Sequence, residues 1–470
     1  MPINWKQEAD AQKAAYLEDL KTLIAIESVR DDSKKTEDMP LGPGPAKALQ
    51  AFLGLAERDG FKTKNLDNLA GYVEYGEGDE TVAILAHADV MPAGNGWDTD
   101  PFTLTEKDGN VYGRGTSDDK GPGLAAYYGL KLVKKLGLPL NKKVRFIIGT
   151  DEESEWTGMT HYFNSEPAPT MGFSPDAEFA LINGEKGNAS FTFHSEGTNG
   201  NEDRLISFDS GLRENMVPRD AEAVVETSDN EALATAFTKF LDENPVTGDV
   251  SVSGEGVALH VIGKAAHGME PKNGINAGTY LAVFLQKATQ LGGSAQQYID
   301  FIADQLHEDS RVAKMGMAFT DATMGDLTMN VGVMKFQANE AGEIVLNFRY
   351  PKGMTNDDIE AGLKRFAEAG HFTLTAGRTM VPHYVDPQDP IVQKLMTVYR
   401  NQTGETDAEP EVVGGGTYGR LMDRGVAFGA LFPHTTDSMH QANEFQPIAD
   451  LIQAMSIYGE SIYELAKDKD

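Results

Sequence analysis

"TVAILAHADV", residues 81–90, and "KKVRFIIGT", residues 142–150, decide the fold of this chain. Both are nearly continuous apolar runs that finish in polar groups. His87 and Asp89 end the first, and Thr150, Asp151, Glu152 and Glu153 follow the apolar part of the second. Between them the spacing predicts a helix over 122–136, with Pro122 early and Gly137 just beyond it. Strand, helix and strand with full apolar runs are the signature of a buried parallel sheet. "EFALING" (178–184) and "VAFGALF" (426–432) read as two more such strands, and "GYVEYG" (71–76) reads simply as a strand. Helices are expected over 8–27, with Leu17, Leu20 and Ile24 on one face, over 45–59, and over 447–466.

The middle of the chain has a different pattern. "ASFTFH", "LISFDS", "AEAVVET", "SVSGEGVALHVIG" and "GEIVLNFRY" alternate in polarity, as strands with one solvated face do. Helices near 230–243, 275–291, 295–306 and 356–369 accompany them. A length of 470 residues exceeds a single core of about 250–300 residues. The fold class is therefore α/β in two domains. A catalytic domain, 1–184 and 384–470, carries a central, mostly parallel sheet flanked by helices. A second α/β domain, 185–383, is inserted into it.

Composition narrows the function. The net charge is −31, from 72 acidic and 41 basic residues. No nucleic acid and no anionic membrane is expected as a partner, because both need basic patches. The acidic residues are dispersed, which suits a solvated surface. There are no cysteines, so disulfides, thiolate catalysis and Cys-type zinc sites are excluded. The polar, acidic start "MPINWKQEADAQKAAYLEDL" does not read as a signal peptide, and no apolar run spans a bilayer. A cytoplasmic protein is expected.

The polar residues beside the apolar strands form a constellation. His87 and Asp89 follow one strand, Asp151, Glu152 and Glu153 another. Asp176 precedes "EFALING", a loop after "VAFGALF" bears His434 and His440, and Asp118 and Asp119 precede the third helix. Ligands of open α/β sheets bind at the carboxyl ends of the strands, where most of these groups lie. Burying so much negative charge without a cation costs several kcal/mol per ion (roughly). A metal centre is the economical reading, and the surplus of carboxylates suggests two ions. Side chains two apart on a strand share a side, so His87 can bind metal while Asp89 accepts from its other ring nitrogen. Glu152 and Glu153 are adjacent and cannot both face a metal in one extended geometry, so one is expected to ligate and the other to act as a base. Other motifs are absent or incomplete. No Walker pattern or GxSxG elbow occurs, "HEDSR" (307–311) lacks the second His of a zincin helix, and "GGGTYG" (414–419) fits either an anion-binding helix start or a plain tight turn.

Five motifs in order, "HADVMPAGNGWDTDPF", "GRGTSDDKGP", "GTDEESEW", "SPDAEF" and "MHQANEF", resemble those of the aminoacylase/carnosinase-type dinuclear zinc peptidases. The PepV-type dipeptidases of bacteria are the most similar group within that family. The likeness extends to "GKAAHGMEP", "LNFRYPKG" and "GGGTYGRLMDRGVAFGA". It implies a zinc-peptidase-like catalytic domain with an enlarged α/β lid. It implies two Zn2+, with Mn2+ or Co2+ as substitutes: His87, Asp118 and Asp176 on one, Asp118, Glu153 and His440 on the other. Asp119 is then not a ligand, and His434 matches no ligand position. Glu152 becomes the general base of a metal-activated water, and Asp89 the partner that orients His87. His267 becomes the lid group that stabilises the oxyanion. Asn215, Arg349, Gly416, Thr417 and Tyr418 become substrate contacts. The implied activity is hydrolysis of dipeptides with a free N-terminus. A sibling amidohydrolase, an N-acyl-amino-acid deacylase or desuccinylase, is the alternative. The insertion exceeds one compact lid of roughly 100 residues. The enlarged lid of PepV-type proteins occupies the place of a second subunit, so a monomer is expected, with His267 acting in cis.

Overall fold

The computed structural model describes residues 3–254 and 256–468. The chain forms two compact units: residues 1–184, 384–411 and 416–470, and residues 185–383 with 412–415. Each has its own apolar core.

The first unit is built on a mixed sheet. Its spatial order begins Lys62–Leu66, Ala70–Tyr75, Lys143–Gly149, Thr81–His87, Met171–Ser174, Gly425–Ala427 and Ile182–Glu185. The inner four, from Lys143–Gly149 to Gly425–Ala427, run parallel. The flanking pairs are antiparallel. Val82 to Ala86 and Val144 to Ile148 are buried, as strands covered on both faces must be. Helices Pro43–Arg58, Lys120–Lys135 and Ile448–Ala466 supply much of that cover, with Phe52, Tyr127, Tyr128 and Tyr458 in the core. Helices Lys120–Lys135 and Ile448–Ala466 meet backbone to backbone: a Cβ on Gly129 would lie 2.8 Å from the Gly459 nitrogen.

Three expectations need correction here. The stretch 8–27 is two helices, Trp5–Asp10 and Lys13–Ile24, separated at Ala11–Gln12. "EFALING" is not one parallel strand. Ala177–Glu178 pairs with Ala430–Leu431 in a small separate ladder, and Ile182–Glu185 lies antiparallel to Gly425–Ala427. "VAFGALF" is divided in the same way, at Phe428–Gly429. The parallel strand that fills this place is Met171–Ser174, whose four residues carry too little apolar pattern to stand out. Helices Thr157–Ser165 and Pro390–Thr403 were also not anticipated.

The second unit holds an antiparallel sheet in the order Thr247–Ser253, Gly256–Ile262, Asp220–Glu226, Arg204–Ser210, Thr328–Gln337, Ala341–Tyr350, Gly187–Glu196, Thr373–Met380. Burial alternates along several of these strands, for instance Asp220–Glu226, as one-faced packing requires. Helices Asn230–Glu243, Ala277–Ala288, Gly293–Phe301 and Asn356–Gly370 pack on it, through Phe237, Phe284, Tyr298 and Leu363 among others.

Candidate metal centre

The three neighbouring parallel strands of the first unit deliver their following residues to one edge of the sheet. His87 is the last residue of Thr81–His87, Glu152 and Glu153 follow Lys143–Gly149, and Asp176 follows Met171–Ser174. Asp118 sits two residues before the helix Lys120–Lys135, and His440 in the loop after Ala430–Leu431. The Asp118–Asp119 peptide is cis.

Two groups of metal-competent side chains result: His87, Glu152 and Asp176, and Asp118, Glu153 and His440, with the donor atoms of each group within 4.8 Å of one another. Asp118 connects them. Its Oδ1 lies 2.9 Å from His87 Nε2 and its Oδ2 2.9 Å from His440 Nε2. Glu153 Oε1 is 3.0 Å from His440 Nε2, and Asp176 Oδ2 is 3.6 Å from His87 Nε2. One carboxylate thus turns a different oxygen to each imidazole.

The surrounding contacts fix these groups. His87 Nδ1 lies 3.0 Å from the Asp89 carbonyl oxygen and 3.3 Å from its Oδ1. The Asp89 carboxylate also accepts from the backbone N–H of Glu152 at 3.1 Å and of Glu153 at 3.2 Å. Asp89 therefore holds the histidine and the glutamate turn together. Asp119 Oδ2 accepts from the His87 backbone N–H at 3.1 Å, while its Oδ1 is buried with no hydrogen-bond partner among the described residues. Asp151 accepts from the N–H groups of Thr157 and Gly158, which makes it a helix-start residue and no part of the cluster. His434 pairs with Asp450 at 3.2 Å, outside both groups.

The electrostatics state what this arrangement requires. Burial raises the carboxyl pKa values of Glu152 and Asp176, reinforced by Asp176 and Asp118 respectively; burial and Asp118 push Glu153 up to about 7. The imidazoles respond oppositely. Burial acts to lower them, but hydrogen bonds to Asp118 and Glu153 outweigh it at His440, which rises to about 11. Asp118, Asp176 and Asp89 do the same for His87. These side chains by themselves draw in positive charge as imidazolium protons. Divalent cations supply that charge and bind neutral imidazole and carboxylate in its place. The donor set, nitrogen and oxygen with no thiolate, suits zinc, manganese or cobalt.

The profile of "Peptidase family M20/M25/M40" matches residues 83–464. The chain belongs to this peptidase family. A protein of Staphylococcus haemolyticus strain JCSC1435, provisionally named a dipeptidase, is 44% identical over 469 residues, covering 98% of this chain and 99% of that protein. Human carnosine dipeptidase 1 shares the fold at 16% identity and a TM-score of 0.56, over 98% of both chains. The aminoacylhistidine dipeptidase of Vibrio alginolyticus does so at 15% and 0.58, over 97% of both chains. The chain is an M20-type hydrolase acting on peptides, with a catalytic α/β domain and an inserted lid domain.

The resemblance also puts Gly416, Thr417 and Tyr418 of this peptidase at the substrate. Gly416 lies against the end of the Arg420 side chain: a Cβ there would meet its Nη1 at 2.4 Å, so a larger residue would displace that guanidinium. Thr417 Oγ1 accepts from the Gly419 N–H at 3.1 Å and starts the short helix Tyr418–Leu421. Tyr418 is 1% exposed, with its ring edge-on to His87 at 6.3 Å and to Trp156 at 5.2 Å. Its ring packs beside the His87 ring in the interior of the first unit.

In the inserted unit, His267 is exposed and its Nδ1 accepts from the Met269 N–H at 3.1 Å, which leaves the proton of the neutral ring on Nε2. The Asn215 carbonyl accepts from the Gly268 N–H at 2.7 Å, and Met216 bridges to His267, so the segments bearing Asn215 and His267 are adjacent. Arg349, on Ala341–Tyr350, is 7% exposed and donates from Nη1 to the Gly414 carbonyl at 2.8 Å.

Sequence reasoning missed two residues of the first unit. Glu444 and Arg114 are buried and paired at 2.7 Å beside the Asp118 turn. Glu444 lies inside the quoted "MHQANEF", yet nothing local marks it, because its partners are some 330 positions away.

Proposed function

We propose that this peptidase is a metallo-dipeptidase that hydrolyses dipeptides with a free N-terminus. The observation that carries the reading is the Asp118 carboxylate facing His87 and His440 with separate oxygens at 2.9 Å each. His87, Asp118 and Asp176 would hold one cation, and Asp118, Glu153 and His440 the other, with zinc as the native metal and manganese or cobalt as substitutes. When bound, a pair of divalent cations polarises the scissile carbonyl and lowers the pKa of water towards about 7.

The chain's own groups do the rest. Glu152 is the general base. Its carboxylate has no hydrogen bond among the described residues, whereas Asp118 and Glu153 face imidazoles within 3.0 Å. Glu152 takes the proton of the attacking water and delivers it to the leaving amine. Asp89 orients His87 and presents the Glu152–Glu153 turn. His267, with its proton on Nε2, donates to the oxyanion, and Asn215 and Arg349 bind the substrate. Arg349 suits a carboxylate because a guanidinium offers two parallel N–H groups. The 44% identity to a provisionally named dipeptidase over nearly the whole of both chains supports the substrate class.

The test is metal analysis of the pure protein with a panel of dipeptides, tetrapeptides and N-acyl amino acids, before and after chelation. Fast, chelator-sensitive cleavage of dipeptides alone is expected, restored by added Zn2+ or Mn2+. Preference for N-acyl amino acids would replace this reading with a deacylase, and efficient tetrapeptide cleavage would remove the dipeptide restriction.

A further inference from the structure

Glu444 is fully buried four residues after His440. Its Oε1 accepts from three backbone N–H groups in the turn before Asp118: Gly115 at 3.0 Å, Ser117 at 2.7 Å and Asp118 itself at 3.1 Å. Its Oε2 accepts from Arg114 Nη1 at 2.7 Å, and its backbone carbonyl from the Gly113 N–H at 3.0 Å. The contact continues beyond it. Strand Phe445–Pro447 pairs antiparallel with Asn110–Tyr112, and Gln446 Nε2 donates to Ser117 Oγ at 3.0 Å. Arg114 in turn donates from Nη2 to the carbonyls of Pro92 and Ala93, at 3.2 and 3.4 Å, just past Asp89.

Converging backbone N–H groups form a concave anion site, and here the anion is a side chain from a distant part of the chain. The amide held by Glu444 is that of Asp118, the residue whose two oxygens serve both groups. The grip comes from the loop that also carries His440. We propose that Glu444 is the positioning residue of the centre: it locks the Asp118 turn and the His440 loop into one unit, so that losing this carboxylate weakens cation binding at both groups together. This inference rests on the two-cation reading above.

The experiment is calorimetric titration of the metal-stripped full-length chain with Zn2+ and with Mn2+, for wild type, Glu444→Gln and Glu444→Asp, alongside melting of each stripped protein. Glu444→Gln keeps the shape and one acceptor oxygen. Glu444→Asp keeps the charge for Arg114 but withdraws the oxygen from the turn, so it serves should the amide variant fail to fold. Two ions are expected in wild type, and a loss of affinity of about 10- to 100-fold for both ions in the variants. Wild-type affinities in a folded variant would overturn the proposal, even with a lowered melting temperature, because that pattern marks a purely structural residue. Loss confined to one ion would overturn it as well. A wild-type chain that takes up no cation would overturn the two-cation reading itself, and this inference with it.

Discussion

Glu152 and Glu153 are consecutive acids with different partners. Asp89 accepts from both of their backbone N–H groups, which fixes the turn. Glu153 then reaches His440 at 3.0 Å, while the Glu152 carboxylate joins the group of His87 and Asp176 with no side-chain hydrogen bond among the described residues. A carboxylate beside these groups whose side chain has no fixed partner is suited to carry a proton. Glu152→Gln removes the proposed base without removing a proposed ligand. The variant is expected to retain two bound cations and to lose about 10²–10⁴ in turnover. Retention of near-normal turnover, measured on a dipeptide at saturating metal, would move the base elsewhere.

Among the elements, the helix Lys120–Lys135 carries the greatest responsibility, since Asp118 and Asp119 lie at its start. Its depth is set by the crossing with Ile448–Ala466, where Gly129 and Gly459 allow backbone contact. Both helices also bury aromatic residues against the sheet, Tyr127, Tyr128 and Tyr458 among them. A leucine at Gly129 has no space, and the helices must separate. Gly129→Leu is expected to destabilise the first unit by about 1–3 kcal/mol, read as a lowered melting temperature of the metal-stripped protein. An unchanged melting temperature would mean that the crossing yields without strain. The inner strands act at the same scale. Because they run parallel and adjacent, the residues that follow them share one edge, and a four-residue strand is enough to place Asp176 there.

At the scale of the whole molecule, two cores of different design share one chain. The first unit has inner strands buried along nearly their whole length and helices covering them; the second has an antiparallel sheet with alternating burial. No helix among the described residues is long and apolar enough to cross a membrane. We propose a monomer in which one chain supplies both Glu152 and His267. Light scattering is expected to give the mass of a single chain at assay concentrations. Mixing Glu152→Gln with His267→Ala is expected to restore no activity. Restored activity would show that the histidine is lent between chains.

Much of the centre was legible in the sequence because the chemistry of strand ends is local. An unbroken apolar run fixes a buried strand, and a His or acid at its carboxyl end is marked by contrast with that run. The helix after Asp119, the alternating pattern of the insertion and the exclusion of thiolate chemistry were legible for the same reason. Partnership was not. Which oxygen of Asp118 meets which imidazole, the splitting of "EFALING" between two ladders, the burial of Tyr418 beside His87 and the grip of Glu444 on a turn some 330 residues away are all contacts across the fold. Residue order encodes burial and period over a few turns of chain. The choice among distant partners is made only when the packed core brings them within hydrogen-bond reach.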